Sequence, residues 1–245
     1  MRPAEPKPEA FLPLHWWRLK RSVGRRWREW RLPAGFERLG TKYGGWWIYA
    51  PAVRANPLLV DCGLGTDISF PAAFLKRFGG RVVGVDPNPA ALEYARAHFT
   101  PGMEVRAAAF WSQAGRELTF HLPRTLAELP KGADGVSGSL LSTHGYAGKD
   151  TLAVRTTSLT EILSGSGRED CDILKLDIEG AEYEVLEAYC ASGDVRRARQ
   201  LLVEFHHHCT DRTLDDTRRC IARVEASGFS LRHTEDRNCV FLRNG

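Results

Sequence analysis

From Pro57 onward the chain alternates short apolar runs with stretches of helical periodicity. "PLLVDCG" leads into "SFPAAFLKRFG", "RVVGVDP" into "PAALEYARAHF", "DILKLDI" into "AEYEVLEAYC", and "ARQLLVEF" into "TLDDTRRCIARVEASG". A strand that hands over to a helix must use that helix to reach a parallel neighbour, because parallel strands cannot be joined by a tight turn. The pattern therefore predicts an α/β fold with one doubly wound, mostly parallel sheet. Asn88 is expected to cap the second helix, with Pro89 as its first residue. "FSLRHT" and "NCVFLR" predict a closing antiparallel hairpin. "YGGWWIYA" reads as a strand after a glycine turn. "MEVRAAAFW" and "RELTFHL" read as one strand each, and "TLAVRTTSLTEIL" as a strand running into a short helix. Residues 123–150, rich in Gly, Ser and small residues, predict a long functional loop.

The 245 residues, 43% apolar and 26% charged, suit one sizeable globular domain, expected to span 34–245. No apolar run approaches the roughly 18 residues of a membrane span, and the N-terminus lacks a signal-peptide core, so a cytoplasmic location is expected. Residues 1–32 carry nine Lys/Arg against three Asp/Glu, which leaves the rest of the chain slightly acidic. The body thus lacks a polyanion-binding signature, and no specific nucleic acid is expected. Residues 1–33 form a separate Pro-rich arm and basic amphipathic helix, with Trp16, Leu19, Val23, Trp27 and Trp30 at helical spacing. Residues 14–32 suit packing on the domain, peripheral contact with an anionic membrane, or a partner. The six cysteines form no C-x-x-C pair and read as packed thiols.

Acids and glycines gather where the apolar runs end. Gly63 and Gly65 follow the first run, and Asp86 ends the second. That spacing suits a carboxylate receiving ribose hydroxyls. A dinucleotide fingerprint would need a third glycine where Ile68 stands, and Asp61 and Asp67 would disfavour a diphosphate. A cationic sulfur nucleoside, S-adenosylmethionine, fits these acids better than a nicotinamide cofactor. Asp61 is expected at its amino-acid end and Asp86 at its ribose. Ala108, Ala109 and Phe110 are expected at the adenine edge, with Phe110 stacking on the ring or serving as plain strand core.

Asp177 and Glu179 end the run "DILKLDIE", beside the first strand. Glu204 and His206 share a face by alternation. His206 is the expected general base, because imidazole titrates near neutrality, with His144 as the alternative. A divalent metal held by Asp177, Glu204 and His206 is the less favoured reading. "GVSGSLLSTHGY" is the expected substrate lid, offering Ser137, Ser139, His144 and Tyr146 to a polyhydroxylated acceptor.

"YGGWWIY", "DCGLGTDISF", "GVDPNP", "SGSL" and "LKLDIEGAEYEVLE" resemble the FkbM-type family of class I S-adenosylmethionine-dependent methyltransferases, over roughly residues 36–242. The resemblance implies a Rossmann-like, seven-stranded sheet whose last strand is inserted antiparallel. It implies cofactor contacts at Asp61, Gly63, Gly65 and Asp86, and places Asp177 and Glu179 at the active-site edge. It also implies O-methylation of a hydroxyl on a sugar, glycoconjugate or polyketide-like small molecule. The commoner family turn has Ala-Asn after its glycine, where this chain has Leu64 and Gly65. The competing function class is a methyltransferase-like binding module that uses the basic arm as a membrane or nucleic-acid adaptor.

Overall fold

The computed structural model describes residues 34–98, 100–129 and 135–245. The expected basic helix of the arm, with its membrane contact, lies outside the described residues. The main unit is Glu37–Gly245. Two short strands, β1 (Phe36–Leu39) and β2 (Trp46–Tyr49), precede the alternating part. Then come β3 (Leu58–Cys62), α1 (Ser69–Phe78), β4 (Arg81–Asp86), α2 (Pro89–Ala97) and β5 (Met103–Ala107). Next follow β6 (Ala109–Phe110), β7 (Glu117–Pro123), β8 (Ala147–Thr157) and α3 (Leu159–Gly165). The chain closes with β9 (Cys171–Leu176), α4 (Glu182–Ser192), β10 (Ala198–Glu204), α5 (Leu214–Ala226), β11 (Phe229–Glu235) and β12 (Asn238–Arg243).

The main sheet has seven strands in the order β11-β12-β10-β9-β3-β4-β5. Five of them, from β10 to β5, pair in parallel, and β12 runs antiparallel to both β10 and β11. This is the class I methyltransferase-like sheet, with the final strand inserted one place in from the edge. The helices begin where the sequence places caps. Asn88 accepts a bond from Ala90 N with Pro89 in the first turn, and Thr213 and Asp216 form a reciprocal capping box on α5. Among the described residues no helix is long and apolar enough to cross a membrane. All six cysteines are free thiols.

Strand alternation sorts the sheet into two faces. Leu58, Val60, Cys62, Leu174, Leu176, Leu201 and Val203 point into one core with α3, α4 and α5. Each fully buried aliphatic or aromatic side chain there contributes about 1.5–3 kcal/mol. The residues between them face the other way, so Asp61 and Lys175, which are register partners on β3 and β9, stand side by side on the opposite face. The indole of Trp46 on β2 covers them, with its ring centroid 5.6 Å from the Lys175 ammonium. β2 is tied to the sheet by the buried amide of Gln200, which accepts from Tyr49 N and donates to Tyr49 O.

Two expected elements differ. The run 103–111 is not one strand: β4 ends at Asp86, whose partner is Ala107, and with no neighbour beyond that point the chain breaks away. Ala109 and Phe110 pair instead with Thr156 and Thr157 of β8, in a separate three-stranded sheet ordered β6-β8-β7. The loop predicted over 123–150 is shorter, because β8 starts at Ala147, opposite Pro123.

Candidate functional site

The carboxyl ends of β3, β4, β9 and β10 meet in one crevice, and the segment 135–146 crosses it. Gly63 leaves β3 with φ +87°, and a Cβ there would collide with the main-chain carbonyl of Asp177. Only glycine lets the two strand ends approach so closely. Gly65 has φ +54° and faces open space, with no atom within 4 Å of where its Cβ would lie. The turn is held from β4: Asp86 Oδ2 accepts from Leu64 N at 2.8 Å and Gly65 N at 3.2 Å, and Oδ1 accepts from Asn88 N at 2.8 Å. Asp86 thus orders the glycine turn and keeps one lone-pair position, on Oδ1, for a hydroxyl. Asp67, the other acid of the turn, points away. It accepts from Ser69 N, Thr41 Oγ1 and Gly44 N and secures the start of α1.

Lys175 organises the acids. Its ammonium lies 3.0 Å from Asp61 Oδ1 and 3.4 Å from Asp177 Oδ2, and it donates to Gly63 O at 2.6 Å. Burial opposes the charge, but Asp61 and Asp177 outweigh it and raise the lysine pKa. Asp61 therefore reaches the crevice through Lys175. The sequence carried a signal that its reading missed: a lone lysine between the apolar Leu174 and Leu176, two residues before Asp177 and so on the same face.

Beyond β9 the chain turns through Glu179, at φ +53°, and Gly180. A glutamate in the left-handed region is strained, and it persists because its surroundings fix it. Ser139 Oγ donates to Glu179 O at 2.6 Å, and His144 Nε2 lies 3.0 Å from Glu179 Oε2. Glu182, fully buried, accepts from Gly180 N at 2.8 Å and from His206 N at 2.8 Å. Its Oε1 also lies 3.2 Å from His206 Nδ1. His206 Nε2 is then directed at Glu179 Oε2, 3.4 Å away, and Asp177 Oδ1, 3.7 Å away. Glu204 ends β10 and is paired with Arg237 at 3.2 Å.

The electrostatics follow from crowding. Burial would raise Glu179, but charge on His206 and bonds from His144 and Ser137 bring its carboxyl down to about 2. Burial and the nearby Asp177 push Glu204 up to about 7. Burial disfavours charge on His206, yet Glu179, Glu182 and Glu204 outweigh it and raise its pKa well above the ordinary value.

Seven of the residues expected from sequence converge here: Asp61, Gly63, Gly65, Asp86, Asp177, Glu179 and His206. Four expectations are corrected. His206 is not an open base in this arrangement: Glu182 engages Nδ1, and Nε2 faces Glu179 and Asp177, so neither ring nitrogen stands free for an acceptor's proton. Phe110 is not an open stacking surface. Its ring is 2% exposed and packs edge-on against Tyr189 in the helix-side core, and Ala109 beside it is buried against β8. Nor does 135–146 hang as a loose lid, since Asn88 Nδ2 holds Val136 O at 2.9 Å and His144 and Ser139 hold Glu179. Tyr146 N donates to His144 Nδ1 at 3.2 Å, which leaves the His144 proton on Nε2, toward Glu179. His144 thus orients Glu179 and has no lone pair free to act as the alternative base.

The residues present suit S-adenosylmethionine on two counts: the open side of Gly65, and an excess of carboxylates over cations.

Residues 60–231 match the family model for the methyltransferase FkbM domain. Comparison with curated proteins returns no match. Among solved structures, a TehB-like SAM-dependent methyltransferase from Corynebacterium glutamicum is 13% identical, covering 93% of this chain and 99% of its own, at a TM-score of 0.38. The precorrin-6y C5,15-methyltransferase from Geobacter metallireducens is 12% identical, with 77% and 80% coverage and a TM-score of 0.38. The fibrillarin pre-rRNA processing protein of Methanococcus jannaschii is 11% identical, with 80% and 69% coverage and a TM-score of 0.41. These overlays are loose, and the family match carries the assignment.

Proposed function

We propose that this chain, which belongs to the FkbM family of S-adenosylmethionine-dependent methyltransferases, methylates a hydroxyl group on a sugar, a glycoconjugate or a polyketide-like small molecule. The observation that supports an oxygen acceptor is the set of carboxylates beside the glycine turn. Asp177, Glu179 and Glu204 project from two strand ends and present hydrogen-bond acceptors to neighbouring hydroxyls. An alcohol is a poor nucleophile until its proton is drawn off, and acceptor groups placed at that proton supply the pull.

Gly63, Gly65 and Asp86 would hold the nucleoside, and the Asp61–Lys175–Asp177 chain would hold its amino-acid end. Bound there, S-adenosylmethionine supplies an electrophilic methyl group on a positively charged sulfur. The protein's own part is positioning. Asp86 fixes the turn against which the donor lies, and Lys175 ties that turn to β9 through Gly63 O. Glu182 and His144 lock the Glu179 turn from either side. Alignment of this kind supplies a large share of the rate in a displacement reaction.

The test begins with calorimetric binding of S-adenosylmethionine, expected for the full chain and lost in Asp86→Ala. Label from the methyl donor is then followed into a panel of sugars, glycosides and polyketide alcohols. An ether product keeps its label in mild base and gains the mass of one CH₂. Label that base removes marks an ester, and label on an amine marks N-methylation; either outcome defeats the hydroxyl reading.

A further inference from the structure

We infer that Asp177, Glu204 and His206 form a binding site for one divalent cation of the manganese class, at the carboxyl ends of β9 and β10. One ligand atom from each of the three lies within 4.8 Å of the others. Ligands on opposite sides of a hard divalent ion with bonds of about 2.0–2.6 Å stand about 4.0–5.2 Å apart, so a single ion spans this group. A set of two carboxylates and one imidazole lies between oxygen-only and nitrogen-rich preferences, which is where manganese falls.

The acids alone would not make a site; the histidine does. His206 is 4% exposed. Its Nδ1 is engaged by Glu182 Oε1 at 3.2 Å, and Glu182 is itself fully buried and fixed on two backbone N–H groups. Its Nε2 makes no hydrogen bond among the described residues and is aimed into the group formed by Asp177 and Glu179. A buried carboxylate behind a histidine, with the far nitrogen turned toward open ligands, is the arrangement that orients metal-bound imidazoles.

Charge supports the same conclusion. Asp61, Asp177, Glu179, Glu182 and Glu204 face two fixed cations, Lys175 and Arg237. The side chains of Asp177 and Glu204 remain 26% and 21% exposed, which leaves room for water or a hydroxyl on the ion's other positions. A cation held there would bind acceptor hydroxyls and make their protons more acidic. That purpose rests on the methyl-transfer reading; the ion site does not.

The full-length protein, stripped with chelator and exchanged into metal-free buffer, is titrated with MnCl₂ while the free-ion electron spin resonance signal is followed. One Mn²⁺ per chain is expected. Affinity should fall about tenfold or more in Glu204→Gln and in His206→Gln, and about 10–100-fold in Glu182→Gln, which leaves every ligand in place. The double variant His207→Ala/His208→Ala, which removes the adjacent imidazoles, should bind as the wild type does. Bound Mn²⁺ in the wild type should show spin coupling to a directly coordinated imidazole nitrogen, a readout that needs no variant. Absence of that coupling, no binding at millimolar Mn²⁺, or loss of binding only in the His207→Ala/His208→Ala protein overturns the site. The titration contains neither methyl donor nor acceptor, so its failure leaves the methyltransferase reading standing. Failed methylation with intact Mn²⁺ binding does the converse.

Discussion

Each end of β9 meets an acid, and the two acids are treated in opposite ways. At the amino end, fully buried Asp172 accepts from Arg54 N, Nε and Nη2 and from Leu58 N, at 2.9–3.2 Å. Every lone-pair position is filled, and Arg54 also pairs with Asp170. Burial would raise the Asp172 carboxyl, but the Arg54 side chain and the two backbone N–H groups more than offset it and lower the pKa. At the carboxyl end, half-buried Asp177 is contacted more loosely, at 3.4 Å by Lys175 and 3.7 Å by His206, among more acids than bases. A saturated buried acid fastens strands together, whereas an under-compensated one keeps capacity for something that arrives later. The difference separates a structural end of the sheet from the end proposed to bind ligand without reference to any relative.

Four substitutions probe that division. The largest effect is expected from Gly63→Ala. Its Cβ would strike the Asp177 carbonyl at a positive φ, and the cost is about 4 kcal/mol or more, with loss of S-adenosylmethionine binding. Chemical denaturation and calorimetry measure the two effects. Asp172→Ala should cost about 3–5 kcal/mol and leave methyl-donor affinity unchanged in the folded fraction. If it also weakens the donor, the two ends are not independent. This contribution has a pH signature. The folded pKa is depressed, so the stabilisation is complete above the unfolded value near 3.9 and is lost as pH falls through the lower folded value. Denaturation curves of wild type and variant should therefore converge only in strong acid.

Glu204→Gln should behave in the reverse sense. Methyl transfer is expected to drop about 100-fold, while stability changes by less than about 1 kcal/mol or rises, because one of several crowded carboxylates is gone. A stability loss as large as that of Asp172→Ala would mean that Glu204 is structural. The smallest effect belongs to a site remote from both ends: Thr213→Ala, which removes the α5 cap, should cost about 1 kcal/mol and leave turnover of the folded protein unaffected.

Much of this division is legible in the chain, and the reason is local. Strand alternation, the Asn88–Pro89 start of α2 and the glycine turn after β3 are set by residues adjacent in sequence. So is the position of Asp177 at a strand end. What escapes a linear reading depends on neighbours that the topology supplies. What the two ring nitrogens of His206 face is decided by Glu182 and Glu179, from the turn and helix of another βα unit. Phe110 becomes core because β4 runs out at Asp86 and the chain must find another partner. Lys175 was visible as an anomaly, but its meaning required the register that sets it opposite Asp61.

The inserted strand has a consequence for how the molecule is made. β12 fills the gap between β10 and β11 and pairs along both of its edges. Until residues 238–243 leave the ribosome, β10 presents a bare row of amides and carbonyls, and β11 has nothing beside it. Synthesis runs from the N-terminus at about 5–20 residues per second. The nascent chain therefore completes the crevice at the strand ends first and carries a sticky, unfinished flank until β12 emerges. A chain truncated before residue 238 would have its cleft built and its sheet open, an invitation to aggregation.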